Sequence, residues 1–298
     1  MLHPASSASG AIAWLWWFLF AVCTTVFLIV VALTAWAILL PRQAGEAAWK
    51  GKFIFNAGGV IPAIILFVIL LLSVGTQKSL AEPETALTIR VTGHQWWWEV
   101  EYPDQRIITA NELHIPVGQP VRLELKTADV IHSVWIPSLQ GKTDMIPEKT
   151  NTMWIQADRP GLYRGQCAEY CGTQHALMAL EVFALPQEEF DQWLEDRQTA
   201  NPAQTAQRHA QGHAVFVKAE CNNCHTIGTE IAKTKRGPNL TYVGSRRMLA
   251  AGTIKHTPEN MDRWIRNPQL VKPGNLMPHT PLEEDDLVPL VEYLESLK

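Results

Sequence analysis

Hydrophobic residues are spread unevenly along this chain, and the unevenness predicts three kinds of structure. From Ala11 to Leu40 thirty residues pass without a charge, and from Phe53 to Gln77 another twenty-five do. About 20 apolar residues cross the hydrocarbon core of a bilayer as a helix, so both runs predict transmembrane helices. No Lys or Arg precedes the first run, and it is longer than the apolar core of a secretory signal, so it reads as a retained anchor. After Pro83 the pattern turns to short alternating segments such as Leu87 to Val91, Arg122 to Lys126 and Met153 to Gln156, separated by Pro and Gly. That spacing predicts a compact antiparallel sandwich or barrel, closing in a short amphipathic helix around Phe190, Trp193 and Leu194. Residues 198–211 are rich in Gln, Ala, Thr and Asn and read as a linker, because nothing in them can build a core. Helices are expected at Gly212 to Glu220, Glu259 to Arg266 and Glu283 to Leu297, the last opening on acids that suit the positive end of a helix dipole.

The expected organisation is a multidomain membrane protein. A two-helix transmembrane hairpin occupies 1–78, a β-sandwich 79–197, a linker 198–211 and a small all-α domain 212–298. Charge orients the hairpin: its short loop carries Arg42, Lys50 and Lys52, whereas the tail before Ala11 has no Lys or Arg. The positive-inside rule puts the loop in the cytoplasm, and with it the N-terminus and everything after Lys78 on the outer face. A net charge of -4 argues against nucleic-acid binding. Residues 79–204 hold nine basic and eighteen acidic side chains, and residues 205–298 hold twelve and ten. An acidic domain beside a near-neutral one predicts weak, orientable docking across the linker.

The chemistry sits in four of the five cysteines. Cys23, inside the first apolar run, reads as a small hydrophobe. Cys167-Ala-Glu-Tyr-Cys171-Gly-Thr-Gln-His175-Ala-Leu-Met178 gathers two thiols, an imidazole and a thioether into one short segment. Soft sulfur donors combined with imidazole select copper over hard cations. A zinc pair is the alternative, but tetrahedral zinc would take a second close pair and has no use for Met178. His132, in Asp129-Val-Ile-His132-Ser, is a candidate further ligand brought in by a strand end. Cys221-Asn-Asn-Cys224-His225 is the attachment sequence of a c-type haem, with redox and zinc Cys-x-x-Cys pairs as competitors.

Here the sequence resembles subunit II of the haem-copper cytochrome c oxidases, from the two-helix anchor through about Phe183. Three motifs carry the resemblance: C-x-E-x-C-G-x-x-H-x-x-M at 167–178, the upstream Asp129 to Ser133, and Gly93-His94-Gln95-Trp96-Trp97-Trp98. It implies a cupredoxin-like sandwich in which Cys167 and Cys171 bridge two copper ions. His132 and His175 would be terminal ligands, with Met178 and the carbonyl of Glu169 as weak axial ones. It also implies a magnesium ion held by the Glu169 carboxylate beside the catalytic subunit, and Trp96 as the surface residue that receives electrons from cytochrome c. Strand alternation would place Trp96 and Trp98 on one face. The C-terminal part resembles class I cytochrome c through Gly237-Pro238-Asn239-Leu240 and Asn275-Leu276-Met277-Pro278. Cys221 and Cys224 would then form thioethers to haem, and His225 and Met277 would bind its iron, with Met248, Met261 and His279 as rival sixth ligands.

The resemblance implies a multi-pass protein of the bacterial plasma membrane with its copper and haem domains on the periplasmic face. Its partners would be oxidase subunits I and III, membrane lipid and a periplasmic cytochrome c or other donor. Its role would be to relay electrons toward oxygen reduction coupled to proton translocation. One departure stands out: many family members carry a glutamate at the mouth of a proton channel where this chain has Phe53-Ile-Phe55-Asn56. Two other readings stay open. A membrane-tethered copper-binding or assembly factor would need neither Met277 nor a covalent haem, and a nitrous or nitric oxide reductase component would share the centres.

Overall fold

The computed structural model describes residues 3–39, 48–228, 234 and 236–298, and the chain divides into two compact units, 1–82 and 83–298. In the first unit helix α1 spans Ser7–Leu39, starting ahead of Ala11. Ser6 and Ser9 explain the early start: Ser6 Oγ accepts from the N–H of Ser9 at 3.0 Å, and Ser9 Oγ accepts from the N–H of Ser6 at 3.2 Å. This reciprocal cap satisfies amides a bare helix end would leave open. Helix α2, Ala48–Phe55, passes through a π turn over Asn56–Val60 into α3, Ile61–Ser79. Pro62 has no N–H and its ring presses on the carbonyl four residues back, so the helix widens there instead of breaking. Among the described residues two helices are long and apolar enough to cross a membrane, Ser7–Leu39 and Gly51–Ser79. Arg42, one of the charges used for orientation, lies outside the described residues.

The second unit opens with ten strands: β1 Leu87–His94, β2 Trp97–Tyr102, β3 Ile107–Ala110, β4 Glu112–Pro116, β5 Val121–Thr127, β6 His132–Trp135, β7 Thr143–Met145, β8 Asn151–Ile155, β9 Gly161–Cys167 and β10 Ala179–Leu185. They form two five-stranded sheets, β3-β2-β1-β5-β8 and β4-β10-β9-β6-β7. The sheets are not wholly antiparallel as expected: β1 pairs with β5, and β4 with β10, in parallel. After β3 the chain crosses to the other sheet as β4, so when it returns as β5 it runs beside β1 in the same direction. Burial alternates along β1 and β5, whose inward residues include Ile89, Val91, Leu123 and Leu125. Along β4 and β10 nearly every residue is buried, because outer as well as inner faces are covered.

Helix α4, Gln187–Thr199, covers part of that outer face: Trp193 stacks on His114 at 4.3 Å, and His114 stacks in turn on Phe183. The rest of the unit holds α5 Pro202–Arg208, α6 Ala210–Lys218, a two-strand ladder of β11 Met248–Leu249 and β12 Ile254–Lys255, α7 Pro258–Arg266, α8 Pro268–Val271 and α9 Glu284–Glu295. Its core is Val215 and Phe216 of α6 against Met261 and Ile265 of α7 and Leu287, Leu290 and Leu294 of α9. The stretch read as a linker is helical over Pro202–Arg208. Asn201 caps it by accepting from the N–H of Gln204 at 3.1 Å, and Ala206 packs on the neighbouring core. Too polar to make a core, the segment is held by one already made.

Nor is docking between sandwich and C-terminal domain loose. The N–H of Ala179 donates to the carbonyl of Ala251 at 3.0 Å, the N–H of Arg247 to Glu112 at 2.7 Å, and Arg247 Nε to Glu181 at 3.2 Å. Regional net charge missed this because two of the sandwich acids, Glu112 and Glu181, are buried on the contact face opposite Arg247.

Candidate functional site

Strand β6 opens at His132 and β9 closes at Cys167, and pairing of Val134 with Cys167 sets these ends side by side. The loop from Cys167 to Met178 then returns as β10, its neck closed by the Cys167 N–H donating to the Met178 carbonyl at 3.0 Å. The donor atoms converge. Cys167 Sγ lies 3.7 Å from Cys171 Sγ, 3.8 Å from His132 Nδ1 and 3.2 Å from the Glu169 carbonyl. Cys171 Sγ lies 3.6 Å from His175 Nδ1 and 3.9 Å from Met178 Sδ. The hydrogen bond between the two sulfurs pushes the Cys167 thiol down and the Cys171 thiol up, so one proton leaves readily and the other is held.

His132 is wholly buried, and its Nε2 meets Asp129 Oδ1 at 2.8 Å, which leaves Nδ1 facing sulfur. Burial works against the charge on Asp129, but hydrogen bonds from His132 and from the N–H groups of Gln95 and Val130 outweigh it and hold its carboxyl low. Gly93 makes room for the ring: a Cβ there would sit 2.8 Å from His132 Cδ2. The Glu169 side chain is half-exposed, with Oε2 3.7 Å from Lys142 Nζ. Among the described residues it joins no cluster of metal-binding side chains.

A second site lies in the C-terminal domain, a cavity of roughly 410 Å³ with Cys221, Cys224, His225 and Met277 on its wall. His225 Nδ1 bonds to the Pro238 carbonyl at 2.8 Å, leaving Nε2 as the free ring nitrogen. A Cβ at Gly237 would stand 2.5 Å from the ring. Met277 sits in a loop fixed by Asn275 Oδ1, which accepts from its N–H at 2.7 Å, and by Gln269 Nε2, which donates to its carbonyl at 3.0 Å. Of the rivals, Met248 also lines the cavity, Met261 is packed into the core as well, and His279 Nδ1 bonds to the Arg266 carbonyl at 2.8 Å.

Trp96 stands between the two sites. It lines the cavity, and its Nε1 donates to the Cys171 carbonyl at 2.9 Å. It is only 8% exposed. Strand β2 begins at Trp97, so Trp96 lies in the turn before it and does not share a strand face with Trp98. Trp97 stacks on His94 at 4.2 Å and packs against Ala251 of the C-terminal domain, while Trp98 meets the His132 ring edge-on at 6.0 Å.

Residues 105–185 match the family model for the periplasmic domain of cytochrome c oxidase subunit II, and residues 209–298 match that for cytochrome c. The chain is 39% identical over 247 residues to the cytochrome c oxidase subunit 2 of Alkalihalophilus pseudofirmus, a match covering 80% of this chain and 71% of that one. This chain belongs to the cytochrome c oxidase subunit 2 family. The Bacillus subtilis member is 33% identical over 270 residues, covering 83% of this chain and 75% of its own. The crystal structure of the periplasmic domain of subunit II from Bradyrhizobium japonicum is 33% identical, covers 39% of this chain and 96% of that one, and has a TM-score of 0.38. As a subunit 2 with a fused cytochrome c, the chain is a membrane protein with a periplasmic domain, associates with other oxidase subunits and serves electron transfer in an oxidase complex.

Copper in the cupredoxin-like domain and haem in the cytochrome c domain follow from the same membership, and the residues fit both. Two buried sulfurs, two imidazole Nδ1 atoms, a thioether and a carbonyl form a soft donor set suited to copper. The haem cavity carries a buried cation: Arg246 is 7% exposed, its Nε has no hydrogen-bond partner among the described residues, and burial pushes it down to about 10. A carboxylate-bearing macrocycle answers such a group.

Sequence reasoning assigned no role to Asp129, Arg246 or Lys272. Asp129 had a signal, since an acid three residues before a candidate ligand can orient its ring. Arg246 and Lys272 had none, because only the folded chain brings them to the sites.

Proposed function

We propose that this subunit takes electrons from a periplasmic cytochrome c or another external donor and hands them to subunit I, where oxygen is reduced to water with proton translocation. When bound, a covalently attached haem c and a dinuclear copper centre supply the one-electron chemistry. Cys221 and Cys224 would attach the haem, and His225 and Met277 would serve its iron. Cys167, Cys171, His132 and His175 would hold the copper, with Met178 and the Glu169 carbonyl as further donors. The Glu169 carboxylate, 3.7 Å from Lys142 Nζ here, would take magnesium at the contact with subunit I. Both apolar helices of the anchor, residues 1–78, cross the bacterial plasma membrane beside subunits I and III with the N-terminus outside. The copper domain is residues 79–197 and the haem domain 212–298, with 198–211 as the connection.

The observation that carries this reading is the position of Trp96. One indole forms part of the haem cavity wall and bonds directly to the backbone of a copper-loop cysteine. Its work is to give the two sites a short covalent and hydrogen-bonded connection that excludes water. The test is the purified oxidase with Trp96→Ala, followed by stopped-flow. Haem and copper contents are expected unchanged and copper reduction slowed, and an unchanged rate removes Trp96 from the route. Two coppers per chain with a His/Met haem spectrum support electron transfer, whereas one labile copper and no haem would mean metal delivery.

A further inference from the structure

One lysine is buried where the two domains of the second unit meet. Lys272, just past α8, is 3% exposed, and its Nζ donates to three backbone carbonyls: Leu177 at 2.7 Å, Trp96 at 2.8 Å and Ala250 at 3.2 Å. Two of these belong to the sandwich and one to the C-terminal domain. In its charged form the side chain has three N–H groups, and all three are met. Beside it the Gln174 side chain donates to the carbonyl of Pro273, the N–H of Ala179 to that of Ala251, and Trp97 packs on Ala251.

A buried ammonium gains little net stability, since leaving water offsets most of what its hydrogen bonds return. Its effect is on register. Any slide or rotation of one domain would leave N–H groups and carbonyls buried without partners, each a full desolvation loss. We infer that Lys272 is a positioning residue: it locks the haem domain onto the copper domain in the one register that presses Trp96 against the haem cleft. It thereby keeps that face shut, so a separate donor protein meets the haem domain and not Trp96. The role of Trp96 in this inference rests on the proposed function, whereas the docking does not.

The test uses the detergent-solubilised oxidase, wild type and Lys272→Met, with hydroxyl-radical labelling of Trp96 and hydrogen exchange of the Ala179 amide. Both are expected to be protected in the wild type. In the variant, exchange at Ala179 rises on the order of tenfold and Trp96 becomes labelled, while the haem spectrum and the melting of each domain stay unchanged. Labelling of wild-type Trp96 at the rate of an exposed indole overturns the closed face. Full protection in Lys272→Met overturns the role of the lysine. If that variant does not accumulate, Lys272→Gln, which keeps N–H donors on a shorter neutral arm, is read the same way. Missing haem or copper signals in the wild type would count against the proposed function and leave the docking result standing.

Discussion

The two histidine rings of the copper site present Nδ1 to sulfur, and for His132 a carboxylate decides this. Asp129 takes Nε2 at 2.8 Å, so only Nδ1 is left to face Cys167. Asp129→Asn is therefore expected to lower copper affinity by about 10–100-fold while leaving the haem unaffected, measured by competition with a copper chelator. His114 shows a different use of an imidazole. Buried between Phe183 and Trp193, it is pushed down to about 3, with the nearby Arg197 charge acting the same way. The unfolded chain binds that proton near 6.5, so its contribution is complete above that pH and is lost as pH falls toward 3. The loss amounts to about 2 kcal/mol by pH 5. His114→Phe should keep the stack and flatten this part of the acid dependence, seen as a smaller fall in Tm between pH 7 and pH 5 than in the wild type.

At the scale of elements, a strand's periodicity tells how many of its faces are covered. Strands β1 and β5 alternate and were legible, whereas β4 and β10 are buried almost throughout because α4 and the C-terminal domain lie over them. Helix α5 was not legible as structure, since its residues carry no apolar stripe. Its start nevertheless followed local rules, an Asn cap with Pro next to it. Asn201→Ala is expected to cost the segment about 1 kcal/mol and to speed proteolytic cleavage within 198–211.

For the second unit as a whole, the contact between sandwich and C-terminal domain is polar, buried and specific in register. Arg247 is half-exposed, but its partner Glu181 is buried. Arg247→Met therefore leaves a carboxylate in the contact without its cation. The docked state should weaken by on the order of 1–2 kcal/mol, less than for a fully buried pair because water already reaches the guanidinium. Faster amide exchange at Ala179, restored in part by adding Glu181→Gln, is the measurement. Trp96 lies at this contact, 8% exposed and with its carbonyl accepting from Lys272 Nζ at 2.8 Å.

Local sequence was enough to announce the two apolar helices, the alternating strands and the two cysteine motifs. Hydrophobic period and ligand type are properties of neighbouring residues, and they read the same whatever the rest of the chain does. Local sequence grouped Cys167, Cys171, His175 and Met178, and Cys221, Cys224 and His225, whereas His132, Glu169 and Met277 joined them through the resemblance to known families. The parallel pairing of β1 with β5, the burial of β4 and β10 and the covering of Trp96 depend on which surfaces meet, and no local pattern encodes that. Lys272 makes the difference plain. In sequence it is one polar residue in a turn, and only tertiary structure places its three N–H groups against carbonyls drawn from three distant parts of the chain.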